Sequence, residues 1–183
     1  MTRTHRSEST GPTPEIVAVF GQRAGVGATT TAVNLALGLA AAGRSVLLLD
    51  LDPEGGASQV MGVAGHERGG TERMLRERAI TRDMIAATRI LQLYLAPASP
   101  ELATLGTDLG EDDDPLTRLY QALATLSALS LDFDHVILDC PPSLDVLTDN
   151  ALIAAHRILL PLAADNPTLD ALPNLLKQVN ELR

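Results

Sequence analysis

An apolar run, Ile16-Val17-Ala18-Val19-Phe20, leads into Gly21-Gln22-Arg23-Ala24-Gly25-Val26-Gly27-Ala28-Thr29-Thr30, and an amphipathic segment, Thr31 to Ala42, follows. No other stretch restricts the fold as tightly. Strand, glycine-rich turn and helix in that order point backbone N–H groups and a helix N-terminus at one spot, which suits a phosphate. Gly25 and Gly27 allow positive φ and close backbone approach, while Thr29 or Thr30 offers a hydroxyl to a magnesium ion.

The rest of the chain repeats the alternation. Val46-Leu47-Leu48-Leu49 is a continuous apolar run that ends in Asp50-Leu51-Asp52-Pro53, and Val136-Ile137-Leu138 ends in Asp139-Cys140-Pro141-Pro142. Apolar runs of this length read as strands buried on both faces, so the pattern predicts a doubly wound, mostly parallel α/β sheet. In such sheets ligands bind at the carboxyl ends of strands, which places Asp50, Asp52 and Asp139 near the glycine-rich turn. Apolar residues make up 45% of the 183 but aromatics only 2%, so the core must be built from Leu, Ile, Val and Ala.

Between these landmarks, residues 54–70 read as a mobile glycine-rich stretch, and Thr71–Arg78 and Thr81–Thr88 as short surface helices. Leu91–Leu95 alternates like a strand. Pro115 to about Ala128 and Leu144–Ala155 read as helices, Ile158–Leu162 as a further strand, and Asn166-Pro167 as the start of a last helix. That helix carries Leu169, Leu172, Leu175, Leu176, Val179 and Leu182 on one face. The acidic run 111–114 suits the start of the helix that follows it better than a metal. Residues 1–14 read as a disordered tail with no apolar core for a signal peptide, and 15–183 as one domain.

A net charge of −9 opposes a broad nucleic-acid footprint, and one cysteine, Cys140, excludes an internal disulfide and suits a reducing cytoplasm. No segment reaches transmembrane length. His5, His66, His135 and His156 lack ligand-spaced partners, and Cys140 reads as a small buried hydrophobe.

With these residues in view, the sequence resembles the ParA/MinD ATPases, P-loop proteins whose deviant phosphate loop reads K-G-G-x-G-K-T-T followed by N-L-A. Arg23 to Thr30 with Asn34-Leu35-Ala36 matches it, as do Val46–Pro53, Asp139–Ser143 and Leu147–Leu152; Thr71–Leu75 and Leu95–Ser99 fit the ParA branch. The resemblance implies ATP or ADP with Mg2+, cradled by Ala24, Gly25, Val26, Gly27, Ala28, Thr29 and Thr30. It implies Thr29, Asp50 and Asp139 at the metal, Asp139 through water, and Asp52 orienting the attacking water with Asp50 supporting it. It also implies a nucleotide-dependent homodimer, in which the first loop lysine reaches across, and a partner protein or adaptor that stimulates hydrolysis. The cargo would be a plasmid, a chromosome origin or another body to be positioned.

This chain departs from that pattern in ways that bear on chemistry. The cross-dimer lysine is Arg23, the glycine at the loop's second position is Ala24, and the in-loop lysine is Ala28. Losing that cation weakens nucleotide binding and slows hydrolysis. The family continues through further strands and helices that enclose the adenine and carry DNA-binding residues. Without them the expectation is an exposed sheet edge or a covering partner, and DNA binding is disfavoured. Three readings follow: a ParA-like switch, a non-catalytic interaction subunit, and a dinucleotide oxidoreductase. The third has Thr30 where its third glycine belongs and no role for Asp139-Cys140-Pro141-Pro142.

Overall fold

The structure, a computed structural model, describes residues 13–63, 70–108, 114–129, 131–164 and 166–182. The strands are β1 (Glu15–Val19), β2 (Val46–Asp50), β3 (Ala86–Ala87), β4 (Leu93–Ala96), β5 (His135–Asp139) and β6 (Arg157–Leu159). The helices are α1 (Ala28–Ala41), α2 (Gly56–Val60), α3 (Thr71–Glu77), α4 (Glu101–Asp108), α5 (Arg118–Ala124), α6 (Val146–Ala154) and α7 (Asn166–Leu182). The sheet runs β3-β4-β2-β5-β1-β6, parallel throughout except for the antiparallel β3–β4 pair. The expected doubly wound sheet is therefore the fold.

Side chains alternate across a strand, so each strand divides its residues between two cores. Ile16, Ala18 and Phe20 join Leu47, Leu49, Leu51, Val136 and Leu138 on one face, under α3, α5, α6 and α7. Val19, Val46, Leu48 and Ile137 lie on the other, where Ala32, Val33, Ala36 and Ala40 of α1 cover them. Small alanines on that stripe let α1 lie close to the sheet, and Gly43, at φ +82°, ends it.

Several boundaries differ from the sequence reading. The stretch 81–88 is one tight turn, Arg82–Met84, followed by β3; Met84 and Ile85 are buried, because the segment folds back to pair with β4. The strand expected from Leu91 begins at Leu93, since Leu91 is 84% exposed and Gln92 takes φ +66° at a hairpin tip. Within the stretch read as mobile, residues 56–60 form α2; residues 64–69 lie outside the described residues. The helix expected over 115–128 is α5 followed by a short turn, Leu126–Leu129. The strand expected over 158–162 stops at Leu159. On α7, Leu175 is buried and Leu172 and Val179 pack beside it, but Leu176 is 48% exposed. The tail read over 1–14, beyond Thr13 and Pro14, and the acidic run except Asp114 fall outside the described residues.

Asp145 caps α6 by accepting bonds from the N–H groups of Leu147 and Thr148. Asn150 of α6 is fully buried. Its Oδ1 accepts from Leu119 N–H (3.1 Å), and its Nδ2 donates to the carbonyls of Pro115 and Val146 (2.7 Å each). It fastens the start of α5 to α6. Asn150→Ala strands those backbone groups and is expected to destabilise the domain by about 2–3 kcal/mol, measured by urea denaturation.

Candidate functional site

Parallel register brings the chemistry together. Val19 pairs with Asp139, and Asp139 with Asp50, so the glycine-rich turn after β1 and the two carboxylates stand in a row at the sheet's carboxyl edge. Parity then fixes their direction. Asp50 follows Leu48 by two and Asp139 follows Ile137 by two, so both belong to the face that α1 covers, at its N-terminal end.

There Gly25 (φ +84°) and Gly27 (φ +90°) turn the chain back on itself, and a Cβ at either would meet nothing within 4 Å. The obstacle to side chains is the left-handed backbone, not lack of room. Gly27, the N-cap of α1, makes no side-chain cap bond, so the helix's first N–H groups face the turn unclaimed by a cap. Arg23, Ala24, Gly25, Gly27, Ala28, Thr29 and Thr30 line a cavity of about 290 Å³, with Asp52, Glu54, Cys140 and Pro142 opposite. Among the loop residues read as the cradle, Val26 does not line the cavity; its methyl is what a side chain at Gly21 would strike, at 2.5 Å.

Asp50 and Asp139, both fully buried, are handled differently. Asp50 is satisfied: Oδ2 accepts from the Ser58 hydroxyl (2.6 Å) and Ser58 N–H (2.8 Å), and Oδ1 from Asp52 N–H (3.2 Å). Burial raises its pKa, and these donors oppose the rise. Asp139 has no hydrogen bond to either oxygen. Burial first, then the Asp50 charge, push it up to about 7, and the nearby Thr29 hydroxyl offsets only part of this without meeting bonding geometry. An orphaned carboxylate beside a threonine hydroxyl, at the foot of a phosphate-shaped cradle, is a donor set that fits a hard divalent cation.

Sequence reasoning missed a supporting layer. Ser58, at the third position of α2, links Asp50 to Ala98, whose N–H donates to the Ser58 hydroxyl (3.0 Å). The buried Thr71 hydroxyl donates to the Asp50 carbonyl (2.6 Å). A Cβ at Gly56 would come within 3.2 Å of the Thr29 methyl, so α2 backs the hydroxyl-bearing side chain. No periodicity marks these residues, because they act through individual tertiary contacts rather than a repeating face. The Cys140 thiol is buried, as expected, and its pKa is raised well above the usual thiol value, while His156 accepts from Ile16 N–H (3.0 Å).

The family model for an AAA domain matches residues 14–183. Chromosome partitioning protein ParA of Myxococcus xanthus is 39% identical over 167 residues, covering 90% of this chain and 58% of that protein. Sporulation initiation inhibitor protein Soj of Bacillus subtilis is 37% identical, covering 90% and 64%. The chain thus spans roughly 58–64% of the length of these curated relatives. Among solved structures, cobyrinic acid a,c-diamide synthase from Mycobacterium smegmatis with bound ADP and magnesium superposes with a TM-score of 0.84 at 32% identity, covering 92% of this chain and 68% of that one. A Cyanothece McdA variant in complex with ATP shares the fold, at TM-score 0.84 and 22% identity over 94% of this chain and 65% of that one.

Asp139 supplies a pH test. Its folded pKa of about 7 lies above the ordinary 3.8, so the native state holds the proton more tightly than the unfolded chain. Stability then falls as pH rises from about 4 to 7, and the penalty is complete above pH 7. In chelator-treated protein, Asp139→Asn is expected to gain on the order of 2 kcal/mol over wild type at pH 8 and nothing near pH 4, read from urea denaturation at both pH values.

Proposed function

The chain belongs to the ParA/MinD-like family of P-loop ATPases, and on that footing we propose that it works as a nucleotide-dependent switch for partitioning or positioning DNA or another cargo. The observation that carries this reading is Asp139: a fully buried carboxylate with both oxygens unpartnered, next to Thr29 and a cradle of N–H donors. Burying such a group without a partner costs free energy, which a bound cation would offset.

In this mechanism the N–H groups from Ala24 to Thr30 bind phosphate oxygens. Thr29 and Asp139 would hold Mg2+, Asp139 through water, and the ion would supply charge neutralisation to the phosphates. Asp50 is committed to Ser58 and Asp52, and it fixes the Asp52 main chain so that the Asp52 carboxylate faces the cavity. There Asp52 orients a water for attack. Relatives named for chromosome partitioning support the cargo class, and a homodimer formed on ATP with a stimulating partner protein completes the cycle. With Ala28 in place of lysine, hydrolysis is slow and depends on that partner.

Ala28 also favours a second reading, a non-catalytic interaction subunit in which the nucleotide site is abandoned. Calorimetry of Mg-ATP and Mg-ADP into wild type beside Ala28→Lys separates the two. The switch predicts micromolar binding by wild type, tightened about tenfold or more by the lysine, given about 1.5–3 kcal/mol for a charge-assisted bond. Silence in wild type with binding only in Ala28→Lys establishes the interaction subunit. If Mg-ATP leaves the sedimentation of wild type and Asp52→Ala alike, the dimerising mechanism is wrong.

A further inference from the structure

A phosphate chain entering this cavity meets an unfavourable charge balance. Of the described lining residues Arg23 alone is basic, while Asp52 and Glu54 face it and Asp50 and Asp139 lie at the strand ends beneath. Neutral N–H donors and one divalent ion would have to offset both the phosphates and these carboxylates. A side-chain cation would ease that balance, and position 28 does not provide one.

The turn brings a substitute to that place. A Cβ at Gly21 would stand 3.2 Å from the Ala28 Cβ and 3.7 Å from the Arg23 carbonyl oxygen. Arg23 and the stub left by Ala28 are thus gathered on the same bend, and both line the cavity. Arg23 is exposed at its mouth. We infer that Arg23 grips the phosphates of the nucleotide bound to its own subunit, standing in for the cation absent at position 28, rather than serving only a neighbouring subunit. This rests on the nucleotide-binding reading above. A guanidinium suits the task because its planar fork takes two phosphate oxygens at once, whereas an ammonium is a point charge. The grip therefore depends on the arginine's geometry as well as its charge.

The test is a four-corner cycle read as affinity. A fluorescent N-methylanthraniloyl ADP with Mg2+ is titrated by anisotropy into wild type, Arg23→Ala, Ala28→Lys and the double variant. Protein is kept at concentrations where sedimentation velocity shows monomers, and circular dichroism checks that each variant is folded. Arg23→Ala is expected to weaken binding about ten- to a hundredfold. Ala28→Lys is expected to gain more in the Arg23→Ala background than in wild type, because the two cations serve the same phosphates. Arg23→Lys is expected to recover only part of the loss. Unchanged monomer affinity in Arg23→Ala overturns the inference and leaves the nucleotide reading intact, as does a strictly additive cycle. If wild type binds no nucleotide but Ala28→Lys does, both the inference and the switch reading fall.

Discussion

The site depends on Asp50 and Asp139 standing side by side with their carboxylates on the same face of the sheet. Two like charges in register on neighbouring parallel strands, both removed from water, oppose folding unless something compensates each. The chain compensates them unequally. Asp50 receives three protein donors, two of them from Ser58, while Asp139 receives none. The imbalance divides their roles. The satisfied acid holds structure in place, and the unsatisfied one is the group that the proposed switch assigns to a cation.

Satisfying Asp50 organises more than one residue. Ser58 can donate to it only if α2 forms, and α2 in turn sets Gly56 against Thr29. The Ser58 hydroxyl also receives Ala98 N–H, and Thr71 binds the Asp50 and Pro97 carbonyls, so the exits of β2 and β4 are tied through one buried cluster. Gly70 belongs to the same junction: a Cβ there would sit 2.0 Å from the Pro97 carbonyl oxygen. The turn carrying Asp52 and Glu54 is therefore anchored at both ends, and its acids are presented to the cavity from a rigid base.

On the opposite wall, the cradle retains what backbone geometry supplies and lacks what one side chain would add. Positive φ at Gly25 and Gly27 and the uncapped start of α1 do not depend on residue 28. Phosphate affinity in such a loop is shared between N–H dipoles and a cation. Replacing lysine with Ala28 removes one contribution and leaves the architecture standing, which is why the fold and the nucleotide chemistry can be tested separately.

The residues by themselves determined the sheet's class and the cradle's place. Continuous apolar runs can be buried on both faces only in a covered parallel sheet, and glycines at 25 and 27 permit a turn that other residues resist. Acids at the ends of such runs also marked the ligand edge before any contact was known. Short elements were less legible: β3 has two residues and exists only because β4 lies beside it, and α2 forms around Asp50, eight residues before Ser58. Only the tertiary structure decided which acid is satisfied and which is orphaned. Asp50 and Asp139 end similar strands and read alike in sequence. The difference between them is made by Ser58, eight residues from one and far from the other, and a hydrogen bond is set by position in space.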